Sequence, residues 1–223
     1  LNWLNETLDA HRQAEIDDRH RCALAWQPVD RPPLVISHPL PPDARFQPWP
    51  HHEIFDDPAK MLFNELVHAF ETSIATSGKV GDDLPWTIRA NFGTVVIASL
   101  FGARVEQVDD NPPWVQPNDT RPLTLRSLRD VDPTDYSQGW CPRVLERCEF
   151  FHEAVRQHPA LAGLLRIVLP DLQGPFDTLE MLVGSEAFVA LHDAPADVAA
   201  TLHALAAAQV GLARHLAPLT TDA

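Results

Sequence analysis

The chain has 223 residues, of which 45% are hydrophobic and 22% charged, and 17 Lys and Arg against 31 Asp and Glu leave a formal charge of -14. That composition supplies a globular core for one domain, or for part of one, while the negative field excludes an extended nucleic-acid surface. A few arginines lining a cleft can still set the local potential there, so an anionic small-molecule substrate stays open.

Residues 1–26 scatter Leu4, Leu8, Ile16, Ala23 and Leu24 among many charges and read as a helix. "QPVDRPP" stops it, because proline lacks an N–H and biases the residue before it toward extended geometry, so a first strand is expected at 34–37. "HPLPPDARFQPWPHHEIFDDP" holds six prolines and no period. A loop of that length inside a domain is usually functional. From Pro58 the pattern turns helical, with Leu62, Leu66, Ala69 and Phe70 on one face and Gly78 as the stop. A second strand is expected at 86–90, followed by a short buried helix in "TVVIASLFGA" closed by Gly102. "RVEQVDDNPPWVQPN" suggests one extended piece and then turns, and residues 123–135 are ambiguous. Helix returns at 142–157, "LAGLLRIVLP" reads as a third buried strand, and helices follow at 176–191 and 195–216. Strands separated by helices imply parallel pairing, since a parallel connection is too long for a hairpin.

Cys22, Cys141 and Cys148 are odd in number and show no CxxC spacing, which argues against a disulfide framework and against a local zinc knuckle. A reducing, cytoplasmic compartment is expected. No run of 18 apolar residues occurs, so no membrane span is expected. Phosphate loops of the P-loop or dinucleotide type and a GxSxG elbow are also missing, which gives nucleotide hydrolysis and serine-hydrolase chemistry no support.

Three groups of motifs occur in order: "RCALAWQPVDRPPLVIS"; "IFDDPAKML" with "GDDLPWTIRANFG" and "ASLFGARV"; and "LLRIVLPDLQGPFDTLEMLVG" with "HDAPADVAATLHALAAAQVGLARHL". Together they resemble the uroporphyrinogen decarboxylase superfamily, which also contains corrinoid-linked methyltransferases. The resemblance implies an α/β fold, a single (β/α)8 TIM barrel, which needs about 250 residues or more. Three strand-helix units are countable, so the expectation is the first half of such a barrel. Residues 1–32 would form the N-terminal helix and lead-in turn, and 33–223 the three units. A half barrel leaves an open strand edge and an uncovered apolar face, from which poor solubility or self-association is expected, and a homodimer stands among the expected partners.

In a parallel barrel the loops after the strands form the working face. His38 follows strand one and could transfer a proton near neutrality, or simply pack under the proline-rich loop. Arg89 and Asn91 end strand two, and the planar fork of Arg89 suits a substrate carboxylate, with an ordinary salt bridge as the alternative. Asp171, Gln173 and Asp177 follow strand three, where Asp177 could face the cavity or cap the next helix. Trp114, with Trp49, Trp86 and Phe176, could line an apolar pocket or pack in the core. "HHE", His51 to Glu53, is a tight cluster of metal-ligand types, although adjacent side chains rarely chelate one ion. Cys141 and Cys148 lie seven apart on a helix, too far to share a tetrahedral metal, and read as structural thiols.

Several positions depart from the family. Its Arg-rich loop after strand one is here "SHPLPPDARF", with Arg45 the guanidinium nearby; its strand-two aspartate falls on Asn91 or Gly93; its third-loop tyrosine falls on Met181. Uroporphyrinogen decarboxylation itself is therefore not expected. The resemblance implies lyase or methyl-transfer chemistry on a small carboxylated or methylated compound, with a corrinoid protein as partner. Zinc in the methyltransferase relatives is held by the later half of the barrel, and these residues require no cofactor of their own. The alternative is a non-catalytic barrel that binds a tetrapyrrole or corrinoid.

Overall fold

The computed structural model describes residues 9–36, 40, 44–71, 81–116, 123–161 and 163–221. In chain order the helices and strands are α1 (Ala10–Leu24), α2 (His51–Ile54), α3 (Pro58–Leu66), β1 (Thr87–Ile88), α4 (Val96–Leu100), β2 (Arg104–Glu106), β3 (Trp114–Gln116) and α5 (Leu125–Arg129). They continue with α6 (Cys141–Arg156), β4 (Arg166–Ile167), α7 (Pro175–Val183), α8 (Glu186–Asp193) and α9 (Pro195–Leu216). The chain divides into two compact units, Leu1–Arg89 with Phe151–Val168, and Ala90–Phe150 with Leu169–Thr221.

In the first unit α1 begins at Asp9, whose carboxylate accepts the N–H groups of His11 and Arg12. The helix is mostly polar and buries little beyond Ile16 and Gln13. Ionic contacts hold it instead. Arg19 Nη1 donates to Asp83 at 2.6 Å, Arg12 Nη2 to the Asp82 carbonyl at 2.6 Å, and His20 Nε2 lies 2.7 Å from the Asp83 carbonyl. The "DRPP" turn joins the same network, with Asp30 on Arg19 and Arg31 on the Asp83 carboxylate. Burial pushes the Asp83 carboxyl up, but the Arg31 hydrogen bond, the Leu34 N–H and the charges of Arg19 and Arg31 outweigh it and hold it below the usual carboxylate range.

The first strand expected at 34–37 joins no ladder through residue 36, and Ser37 lies outside the described residues. Leu34 spends its backbone on Asp83: its N–H donates to the carboxylate at 2.9 Å and its carbonyl accepts the Asp83 N–H at 2.6 Å. Asp57 caps α3, with Pro58 in its first turn, and the helix buries Met61, Leu62 and Asn64. It then widens into a π-helical turn, Val67–Glu71. The rest of the helix expected to Gly78 lies outside the described residues.

β1 and β4 pair in parallel, Thr87 with Arg166 and Ile88 with Ile167. The ladder extends by one bond at each side, Arg166 N–H to the Trp86 carbonyl and Val168 N–H to the Ile88 carbonyl, both at 2.9 Å. Both strands therefore leave at the same end, at Arg89 and Val168. Trp86, Ile88, Leu165 and Ile167 are buried, whereas Thr87, Arg89, Arg166 and Val168 are half-buried on the other face, as the two-residue alternation of a strand requires. Strands two and three thus pair in parallel as expected. Among the described residues the sheet stops at two strands, so the half barrel goes beyond what they form.

The second unit is organised by α9, which packs against α7, α5, α8 and α4. Its buried stripe, Val198, Thr201, Leu205, Ala208, Leu212 and Leu216, repeats every three or four residues. With the 3₁₀ turn after it, Pro195–Leu219 is long and apolar enough to cross a membrane by length and composition. Its buried stripe packs on neighbouring helices, and 28% of the apolar window is buried. The single helix expected at 176–191 is broken into α7 and α8 because Gly184 takes φ 66° and ψ -150°, a conformation costly for any side chain. "RVEQVDDNPPWVQ" forms an antiparallel hairpin of β2 and β3, so Trp114 lies in a strand where turns were expected. The ambiguous 123–135 contains α5, started by a Thr124–Ser127 capping box.

Candidate functional site

At the exit of β1 in the first unit, Arg89 alternates to the half-buried face of the parallel pair, and its guanidinium makes no hydrogen bond or ion pair among the described residues. Its backbone N–H donates to Glu65 Oε2 at 3.1 Å. The preceding residue, Asn64, is buried and grips the proline-rich loop at both backbone atoms of Trp49, accepting its N–H at 2.7 Å and donating to its carbonyl at 2.8 Å. Consecutive side chains on α3 thus pin the strand exit and the end of the long loop. His68, in the π turn, has its basicity lowered by partial desolvation and by His51, although its surface remains exposed. His38, the candidate expected after the first strand, lies outside the described residues.

At the opposite end of the strand pair, an open cleft of about 680 Å3 is lined by Asp17, Asp18, Arg21, Leu24, Thr87 and Arg166. Asp17 and Arg166 close on each other there at 2.7 Å.

In the second unit Asn91 Oδ1 accepts the Gly93 N–H at 3.4 Å, shaping a turn that Gly93 completes at φ 64°. Asp171 Oδ1 accepts the Gln173 N–H at 3.1 Å, and Gln173 itself adopts φ 56°. From α9, Gln209 Nε2 donates to the carbonyls of Leu172 at 3.2 Å and Gln173 at 3.1 Å. Asp171 and Gln173 therefore sit in a loop held from outside rather than in a loose turn. The N-cap of α7 is Gly174, not Asp177, which lies within the first turn. A Cβ at residue 174 would come within 2.6 Å of Asp177 Oδ2, so the carboxylate folds back over the helix start, where the macrodipole favours it. Trp114 is 57% exposed on β3, and the Phe176 ring meets Phe188 edge-on at 5.4 Å. Trp86 and Trp49 belong to the first unit, Trp86 in its core and Trp49 under Lys60, whose Nζ is 4.2 Å from the ring centre.

Sequence reasoning missed a cationic cluster beside Phe92, three residues after Arg89. Arg143 lies 4.8 Å from the Trp140 ring centre and 5.8 Å from that of Phe92, and Arg147 lies 5.9 Å from Phe92. Arg147 is 2% exposed, an unusual depth for a guanidinium, and its Nη1 is 3.6 Å from Glu146 Oε1. The four-residue spacing of the arginines on α6 was the available signal. Glu65 and Gln209 were missed too, and nothing in their sequence context separates them from ordinary helix-surface residues.

Zinc does not fit the described residues. No group of three His, Cys, Asp or Glu side chains gathers among them, and Glu53 of the "HHE" cluster is ion-paired with Lys60. Cys141 and Cys148 are fully buried, with burial pushing their thiols up to about 11 and about 12, as structural thiols require.

No protein-family model and no curated protein matches the chain. Among solved structures it is similar to a methyltransferase from Methanosarcina mazei, at a TM-score of 0.62 and 21% identity over 92% of this chain. The match spans 56% of that methyltransferase, about half its length. What the likeness establishes is a fold shared between most of this chain and that portion of a methyltransferase.

Proposed function

We propose that this chain is part of a uroporphyrinogen decarboxylase-like barrel enzyme that carries out methyl transfer involving a small carboxylated or methylated compound. The observation that carries the reading is the parallel β1–β4 pair, which sends the two polar exits, beginning at Arg89 and after Val168, out at one end. The fold shared with a methyltransferase supports methyl transfer over lyase chemistry. In this reading Arg89, in the first unit, binds a substrate carboxylate, and the candidates of the second unit for substrate binding are Asn91, Asp171, Gln173 and Trp114. His38 and Asp177 handle protons. A corrinoid protein supplies the methyl group, and any zinc comes from residues other than those described.

The same proposal includes a homodimer. Phe188, Val189 and Leu191 of α8 are all about half exposed or more, and an apolar helix face of this kind favours self-association. A monomer in sedimentation at micromolar concentration contradicts that part.

The test of the chemistry uses methylcobalamin as methyl donor and mercaptoethanol as acceptor, following the loss of methylcobalamin absorbance. Acceleration by the protein, lost in Arg89→Ala with a carboxylated acceptor, is the expected result. Saturable binding of a corrinoid or tetrapyrrole without turnover favours the non-catalytic barrel instead. Neither binding nor turnover refutes both.

A further inference from the structure

In a parallel ladder the amides of successive residues point to opposite edges of the strand. Ile88 faces β4, so the Arg89 N–H looks toward the outer edge of β1, where the described residues place no strand. Glu65 Oε2, at 3.1 Å, occupies the place a neighbouring strand's carbonyl would take. The bond falls on the last residue before the chain leaves the sheet, where the backbone is otherwise free to turn. It comes from the end of α3, immediately before the helix widens into its π turn, a distortion found frequently at functional sites. Asn64, next to it, clamps Trp49 from both sides, so this helix end is already a fixed platform.

We propose that Glu65 is a positioning residue for anion binding by Arg89. Its carboxylate locks the Arg89 backbone, so that the guanidinium fork is presented to a carboxylate ligand from a fixed origin on the half-buried sheet face. A fork that needs two parallel hydrogen bonds is sensitive to such an origin, because bidentate geometry tolerates little rotation. The inference rests on the reading of Arg89 as the carboxylate-binding group and adds to it the residue that holds Arg89 in place.

The test is a succinate titration of 15N-labelled protein at fixed ionic strength, read at the backbone amide resonances of residues 88–91, which every variant retains, with chloride as control. Wild type shows a saturable shift that Arg89→Lys reduces severely. Glu65→Ala weakens binding about tenfold, equivalent to about 1.4 kcal/mol, and speeds hydrogen exchange at the Arg89 amide. Glu65→Gln keeps an acceptor oxygen and binds within about twofold of wild type, which a role for the negative charge would not allow. Circular dichroism melts check folding, and Glu65→Asp, one methylene shorter, replaces the alanine variant if that one does not fold. Unchanged affinity in Glu65→Ala, with binding still lost in Arg89→Lys, overturns the positioning role alone. No saturable shift in wild type overturns the Arg89 reading and this one with it.

Discussion

Replacing Asp83 with Asn removes the charge at the centre of the network that docks α1 and the "DRPP" turn onto the approach to β1. The carboxylate accepts four hydrogen bonds, from Arg19 Nη1, both terminal nitrogens of Arg31 and the Leu34 N–H. An amide keeps one acceptor oxygen and turns an NH2 toward a guanidinium, so at least two of those bonds are lost. Breaking a buried ion pair costs about 3–5 kcal/mol. Arg19 retains Asp30, and the Arg31 side chain is 41% exposed and can rehydrate, which places the loss at the lower end, about 3 kcal/mol. For a chain of this length that corresponds to a fall in Tm of about 6–12 °C. Urea unfolding followed by circular dichroism at pH 7 measures it. Because the folded-state pKa of Asp83 is lowered, its stabilisation is complete above the ordinary value of 3.8 and fades as pH drops through the lowered one. The gap between variant and wild type should therefore close on acidification below about pH 4. A loss under about 0.5 kcal/mol, or a gap that does not change with pH, refutes the network's role.

Gly139→Ala should cost about 3 kcal/mol or more, because residue 139 has φ 58° and a Cβ would come within 2.6 Å of Ser99 backbone carbon; an unchanged urea midpoint contradicts this. Gly211→Ala places a methyl 2.0 Å from Tyr136 Oη and should destabilise despite alanine's helix advantage of about 1 kcal/mol. Tyr136→Phe should relieve much of that loss, and additive effects in the double-mutant cycle would show that the two residues do not clash. With a disulfide reagent at pH 8, half-exposed Cys22 should react first. Cys141 and Cys148, whose thiols burial raises to about 11 and about 12, should react only on unfolding, and three equal rates would contradict their burial.

Where a local signal decided structure, the sequence was readable. Proline in the first turn and a three-to-four-residue apolar stripe define α9 from Pro195 to Leu216, matching the expected bounds. Where a distant group decided it, the sequence was silent. Residues 34–36 carry strand composition, yet Leu34 gives its backbone to Asp83, 49 residues away. The second strand is shorter than expected, its ladder with β4 closing at the Val168 N–H on the Ile88 carbonyl, while the Arg89 N–H on the other edge goes to a side chain of α3. The hairpin of β2 and β3 was hidden by a connection with two prolines and a left-handed Asp109 at φ 55°. Among the candidate residues, the strand exits at Arg89, Asn91 and Asp171 were legible because parallel pairing puts them after strand ends. Arg143 and Arg147 were not, because a cation over Phe92 depends on packing that composition does not encode.

The shared exit of β1 and β4 is the claim on which the site depends, and couplings transmitted through hydrogen bonds test it without a ligand. In doubly labelled protein, the Arg166 amide nitrogen should couple to the Trp86 carbonyl carbon and the Val168 nitrogen to that of Ile88. Couplings in the reverse order, Arg166 to Ile88 and Val168 to Trp86, would make the strands antiparallel and send the polar exits to opposite ends.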